Sequence, residues 1–162
     1  MSVLSAFVLK WCHPDYPPTK VDILEIADLE RRLGLILPED YKVEICTAGL
    51  PSPTLALLSA IVEREVDLHD LGGLHTPDNI FIETEDWRAI GMPEHLMAIG
   101  NDSSGSSFCF DIKDLQKIRV PSAPVYFWDH DLNQVTREAP SFSVWISGFL
   151  GSWSDGLSFN NF

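Results

Sequence analysis

Basic residues are scarce in this chain. Its 162 residues include 11 lysines and arginines against 24 aspartates and glutamates, so the formal net charge is −13. Such a field repels the phosphates of nucleic acids and the headgroups of anionic membranes, so we expect neither to bind directly. It attracts a basic protein and steers its approach. The same charge also keeps a protein soluble without any partner, and the total alone does not separate these two explanations.

Cysteines and long apolar runs are also few. Cys12, Cys46 and Cys109 are far apart and lack a CxxC spacing, which favours free thiols in a reducing cytoplasm over disulfides or a zinc site. No apolar run approaches the roughly 20 residues that cross a bilayer. The apolar stretch at residues 3–9 has no basic residue before it, unlike a secretory signal, so we interpret it as part of the fold. We therefore expect a cytoplasmic protein and leave its oligomeric state open.

The sequence lacks the motifs of the common enzymes. No GxSxG, HExxH, GxGxxG or Walker A pattern occurs. Residues 69–78 and 129–131 combine histidine with aspartate, but neither group has a metal-ligand spacing, and polar turns explain both. The serines around Gly105 are typical of a turn unless a histidine base lies beside them. The sequence therefore predicts a protein that is not an enzyme and holds no cofactor or metal.

Hydrophobic periodicity and turn residues predict an α+β fold. Four helices are expected, at residues 21–33, 38–49, 76–91 and 141–151. Two antiparallel hairpins are expected, one joining 96–99 to 107–112 and one joining 125–128 to 134–137. The period does not decide between helix and strand for residues 54–66, and residues 71–74 are interpreted as a turn. In the first predicted helix, the residues that recur near the 3.6-residue period are Ile23, Ile26, Ala27, Glu30 and Leu33.

These elements predict one domain over residues 1–150, with a mainly antiparallel sheet backed by N-terminal, middle and C-terminal helices. Residues 1–21 are interpreted as an extended lead-in, since three prolines at 14–18 exclude helix there. Residues 151–162 are interpreted as a mobile or lightly docked tail.

The acidic residues are concentrated between Glu63 and Asp102. Ten carboxylates and two arginines there hold more than half of the net charge in about a quarter of the chain. We expect them to form a surface that binds a basic partner. Trp87, beside Glu85 and Asp86, is a candidate interface anchor, although packing under the sheet explains it equally well. The candidate partner-binding residues are Glu63, Glu65, Asp67, Asp70, Glu85, Asp86, Trp87, Asp102, Asp129 and Asp131.

Four stretches follow one another in an order that is specific as a set. The first is IADLE at 26–30, LG at 33–34 and LPEDYK at 37–42, closing at Gly49. The others lie at 99–111, 124–131 and 141–146. Together they resemble the SUKH superfamily over residues 22–150, although the family usually has Asn-Gly where this chain has Ala48-Gly49. Its founding members are fungal regulators of cell-wall synthesis, and its bacterial members are mostly immunity proteins.

The resemblance implies an α+β domain without catalysis or cofactor that binds a cognate toxin, often a nuclease, in the bacterial cytoplasm. A nuclease carries basic surfaces for nucleic acid, which fits the acidic segment of this chain. The alternative is an adaptor of the fungal type, which binds cellular signalling partners. The candidate residues come from the clustering of charge and not from the resemblance.

Overall fold

A computed structural model describes residues 1–162 and has an α+β fold, as predicted. The helices are α1 Val3–Trp11, α2 Ile23–Leu33, α3 Glu39–Ala48, α4 Ala56–Glu63, α5 Pro77–Ala89 and α6 Phe142–Ser147. The strands are β1 Gly73–Leu74, β2 Leu96–Asn101, β3 Ser107–Asp111, β4 Val125–Asp129 and β5 Gln134–Ala139. None of the helices is both long and apolar enough to span a membrane.

The five strands form one antiparallel sheet in chain order, with β1 and β5 at its edges. Both predicted hairpins are confirmed, as β2–β3 and β4–β5. The backbone of β5 makes hydrogen bonds only with β4, so its other side is an open edge. Successive side chains of a strand point to opposite faces, and this alternation gives the sheet two different surfaces.

The inner face of the sheet carries the main core, and the outer face carries a smaller apolar cluster. Met97, Ile99, Phe108, Phe110 and Phe127 point inward, where α3 and α6 pack on the sheet and α1 packs on these two helices. On that side Tyr41 of α3 packs edge-on against Phe110 and against Phe142 of α6, at 5.3 and 5.1 Å between ring centres. The residues that point outward are Leu96, Ala98, Cys109 and Trp128. Helix α5 covers part of the outer face, and the hydroxyl of its Thr84 accepts the N–H of Ala98 at 3.0 Å.

A glycine ends each of the two helices α2 and α3. The side chain of Asp22 caps α2, and Gly34 ends it in the left-handed conformation. Gly49 ends α3 with a φ of 81°, and a Cβ there would lie 2.8 Å from the carbonyl oxygen of Thr19. Its backbone conformation and the close approach of residue 19 therefore both require glycine.

The interpretation of residues 1–21 as an extended lead-in is wrong for its first half. Residues 3–11 form α1, and Leu4, Phe7 and Trp11 are fully buried along one side of it. A carboxylate oxygen of Glu44 on α3 accepts the N–H of Leu4 at 2.8 Å and satisfies one free donor at the start of α1. The prolines exclude helix only from residue 14 onward, so they left α1 free to form.

The C-terminal tail is docked rather than mobile. Trp153 stacks on Trp11 with 6.2 Å between ring centres, and Ser154 is fully buried. Lys10 donates from its Nζ to the carbonyl of Ser154 at 2.9 Å, and its own carbonyl accepts the N–H of Phe159 at 2.8 Å. The tail and α1 therefore bury each other.

Three further observations concern local elements. The undecided segment contains α4, which buries Ala56, Leu57, Ala60 and Ile61. Residues 73–74, interpreted as part of a turn, pair with β2 as β1. Ile23 is 58% exposed, because it is the first residue of α2 and lies off the side that buries Ile26 and Leu29.

Candidate partner-binding surface

The sheet separates the acidic residues that the sequence predicted to form one surface. Trp87 at the end of α5 packs edge-on against Trp128, at 5.3 Å between ring centres. His69 stacks on Phe127, the residue before Trp128, at 3.7 Å and 13° between ring planes. Since neighbouring residues of a strand point to opposite faces, Trp87 lies over the outer face and His69 over the inner face. The acidic segment around His69 and the end of α5 are therefore on opposite sides of the sheet.

Asp70 and Asp102 are buried, at 7% and 6% exposure, so the expectation that they lie on an accessible surface is corrected. Asp70 accepts the N–H and the hydroxyl of Ser103 at 3.1 and 3.0 Å. Asp102 accepts the N–H groups of Ser104 and Ser106 at 3.0 and 2.9 Å. Both carboxylates hold the β2–β3 turn in place, since a buried carboxylate needs such donors.

Glu63 is the last residue of α4, Glu65 and Asp67 follow it, and all three are exposed, in the segment that leads to His69. Between them, Arg64 turns to the tail and donates to the carbonyls of Trp153 and Asp155 at 3.1 and 3.3 Å. Its charge is thereby directed to the C-terminal segment, and the three carboxylates have no cation paired with them.

Over the outer face, the half-buried Trp87 lies in a part of the surface that also carries exposed carboxylates. Glu85 and Asp86 precede it on α5, and its ring lies 5.6 Å from that of His130 in the β4–β5 turn. Asp129 shapes this turn by accepting the N–H of Asp131 at 2.9 Å, and the Asp131 side chain is 80% exposed. We call this region, formed by Glu85, Asp86, Trp87 and Asp131, the outer acidic surface.

The side chain of Arg88, the residue after Trp87, points into the fold. Its side chain is only 17% exposed and donates to the carbonyl of Leu96 at 3.1 Å. It also lies 3.5 Å from Glu85 and 3.9 Å from Glu94. Asp86 and Trp87 therefore face solvent without a cation above them.

Tyr126 extends the same side of the sheet and was missed in the sequence analysis. It precedes Trp128 by two residues, so both side chains point outward. Partial burial and the neighbouring carboxylates of Asp114 and Asp111 raise the pKa of its phenol, and Arg137 opposes this. The two-residue spacing from Trp128 is a signal in the sequence, but it identifies a surface only once the outer face is known to be partly uncovered.

The structure places a histidine beside one of the turn serines. The Ser106 hydroxyl lies 2.9 Å from Nδ1 of His130, and Nε2 of His130 lies 3.4 Å from Asp131. Ser106 is buried and also accepts the N–H of His130 at 3.3 Å, so it joins the two hairpin turns. A cleft of about 750 Å³ lies elsewhere, between α2 and residues 115–118. This geometry is that of a structural tie and not of a nucleophile facing a substrate.

The burial and the pKa of the three cysteine thiols indicate how reactive each thiol is. Burial raises the pKa of Cys12 to about 12 and also raises the pKa of Cys109, while Cys46 is exposed. Burial and the carboxylate of Asp22 raise the pKa of Cys46 as well, which lowers its thiolate fraction. We expect a thiol reagent at pH 8 to modify one cysteine in the folded protein, more slowly than a free thiol, and all three in guanidinium. Rapid modification of two or more in the folded protein would contradict this packing.

No curated protein matches the chain. The model of the SMI1 / KNR4 family (SUKH-1) matches residues 20–148, from the loop before α2 to the end of α6. The match covers most of the chain and includes both hairpins and helices α2 to α6, whereas α1 and the tail lie outside it. The chain belongs to the SMI1 / KNR4 family (SUKH-1).

Proposed function

We propose that this chain is an immunity protein, which binds a basic protein toxin in the bacterial cytoplasm and neutralises it without catalysis or cofactor. Membership of the SUKH group supports this role in general terms. The observation that carries the proposal is the outer acidic surface, where the half-buried Trp87 follows the exposed Glu85 and Asp86 and packs near His130, whose neighbour Asp131 is exposed. An aromatic anchor with carboxylates around it suits a basic partner that buries the ring and pairs with the charges.

The overall charge supports the same proposal through the rate of association. A net charge of −13 attracts a basic protein over a distance and raises the rate at which the two meet. A nuclease is a fitting partner, since its substrate-binding surface must be basic. An acidic protein placed over that surface obstructs the nucleic acid.

The experiment compares two triple variants that remove the same charge from opposite sides of the sheet. The test variant is Glu85→Gln, Asp86→Asn, Asp131→Asn, and the matched control is Glu63→Gln, Glu65→Gln, Asp67→Asn. All six side chains are exposed, so both variants should fold. Each protein is immobilised, and a lysate of the native cells is passed over it at low and at high salt. Retained proteins are identified by mass spectrometry, and the affinity of any retained toxin domain is then measured.

We expect the unmodified protein and the control to retain a basic toxin domain, and the test variant to bind it about tenfold more weakly at low salt. The difference should shrink at high salt, because salt screens exposed charges. Loss of binding in the control alone would show that the toxin binds on the other side of the sheet, at Glu63, Glu65 and Asp67. Retention of signalling or wall-synthesis proteins in place of a toxin would replace the proposal with an adaptor function.

A further inference from the structure

One cleft of this acidic molecule is lined by two cations and one carboxylate. It has a volume of about 750 Å³ and lies between the end of α2, with the link that follows, and residues 115–118. Leu35, Ile36 and Ile118 give it an apolar lining, and Arg31 and Lys117 stand at its rim. We call this region the basic cleft.

Three cations in or beside the basic cleft have no ion-pair partner within the chain, whereas Arg31 at its rim is paired with Asp28 at 2.9 Å. Lys113, Lys117 and Arg119 lie within seven residues of one another and are three of the 11 basic residues. All three are exposed, and none forms an ion pair. The one carboxylate in the cleft, Glu30, is already paired with Lys42 at 3.2 Å. On a chain with more than twice as many acids as bases, three neighbouring unpaired cations are an unusual local feature.

The segment that carries these cations is anchored at both ends. At one end Leu115 is buried, and Asp111 caps the 3-10 turn by accepting the N–H of Lys113 at 2.9 Å. At the other end the carbonyls of Val120 and Pro121 accept the first N–H groups of α3 at 2.8 and 3.1 Å. Residues 116–119, which lie between these two anchors, are exposed.

Ile118 shows what kind of ligand the cleft suits. Its side chain is 99% exposed, so the cleft is open along this side. A small molecule is normally enclosed over most of its surface, which an open cleft does not achieve. A peptide segment can lie along the cleft and cover Ile118. Nucleic acid and anionic membranes carry many more negative charges than a short peptide, and the net charge of −13 opposes them.

We propose that the basic cleft is a second docking surface, which binds an acidic segment of a protein partner that also carries a large apolar side chain. The apolar side chain packs against Leu35, Ile36 and Ile118, and the carboxylates pair with Lys117 and Arg119. The apolar residues and the cations of the basic cleft are all different from the residues of the outer acidic surface, so the two surfaces select partners of opposite charge.

The test uses peptides of defined chemistry. An array of immobilised 12-residue peptides combines glutamate or aspartate with leucine or phenylalanine, and the best binder is labelled with fluorescein and titrated by fluorescence anisotropy. We expect binding that weakens with salt and that is lost when the acids of the peptide become amides or its apolar residues become glycine. If no peptide of the array binds with a Kd below about 1 mM, the proposal is overturned.

Three single variants locate the binding. We expect Lys117→Glu and Ile118→Ser each to weaken it about tenfold, since they remove a cation and an apolar contact. The matched control, Lys20→Glu, makes the same charge change at an exposed lysine outside the cleft and should change the affinity less than about twofold. Equal effects of Lys117→Glu and Lys20→Glu would reduce the binding to non-specific charge and overturn the proposal.

Two further measurements separate the alternatives. Vesicles containing phosphatidylserine should not bind, and vesicle binding that depends on Lys117, without peptide binding, would replace a protein partner by a membrane. The triple variant of Glu85, Asp86 and Asp131 should bind the peptide as the unmodified protein does. A failure of the basic cleft and a failure of the proposed toxin interface are therefore distinguishable.

Discussion

Replacement of Trp11 by alanine is expected to lower the free energy of unfolding by about 3–5 kcal/mol. Trp11 is fully buried and packs between the core and the C-terminal tail. Its Nε1 donates to the carbonyl of Phe149 at 3.0 Å. The substitution removes a large apolar side chain, leaves a cavity, and leaves that carbonyl without its donor in a buried place.

Urea denaturation followed by circular dichroism measures the loss. The comparison variant is Trp153→Ala, which removes the other ring of the stacked pair. Trp153 is only half-buried, and its Nε1 donates to the carbonyl of Gly148 at 2.8 Å near the surface, so a smaller loss is expected. If Trp11→Ala costs less than about 1 kcal/mol, α1 does not fold as one unit with the rest of the core.

The protein is expected to lose several kcal/mol of stability between pH 9 and pH 11. Burial raises the pKa of Cys12 to about 12, and the pKa values of Cys109 and Tyr41 rise as well. In the unfolded chain these groups ionise near pH 9 and pH 10, so the unfolded state releases protons that the folded state keeps. Each group then lowers the free energy of unfolding by about 1.4 kcal/mol per pH unit, until the pH reaches its folded pKa.

Thermal unfolding at pH 8 to 11, with a reducing agent present, measures this slope. Tyr41→Phe keeps the ring that packs against Phe110 and Phe142 but removes the ionisable group. This substitution should make Tm fall less steeply with pH above pH 10 and leave the fall of Tm between pH 9 and pH 10 unchanged. A Tm that is constant from pH 8 to 10.5 is incompatible with burial of these three groups.

Local signals in the sequence were sufficient for most of the fold. The cap and proline at the start of α5 and the alternation around Phe108 and Phe110 predict their elements without any knowledge of neighbours. Helix α1 was not predicted, because the three prolines that follow it led to the interpretation of the whole N-terminal stretch as extended. Its burial depends on Glu44 and on the tail, whose contacts with Lys10 and Trp11 span more than a hundred residues. No local pattern reports such a contact.

The acidic surface was predicted only in part. The sequence correctly gives the number of charges and their concentration, but a count does not say on which face of a sheet each charge lies. Asp70 and Asp102 were candidates because they are acidic, and the structure uses them to hold a turn. Tyr126 carries no charge at neutral pH and therefore did not enter a prediction based on charge.

The open side of β5 has a consequence for how the protein behaves at high concentration. A six-residue strand with unpaired N–H and C=O groups is a template for the strand of another molecule. Mutual repulsion between copies, each with a net charge of −13, opposes such pairing at low ionic strength. Salt screens that repulsion and leaves the backbone groups of β5 unchanged. Solutions that are stable in dilute buffer are therefore expected to self-associate first through residues 134–139 when salt and protein concentration rise together.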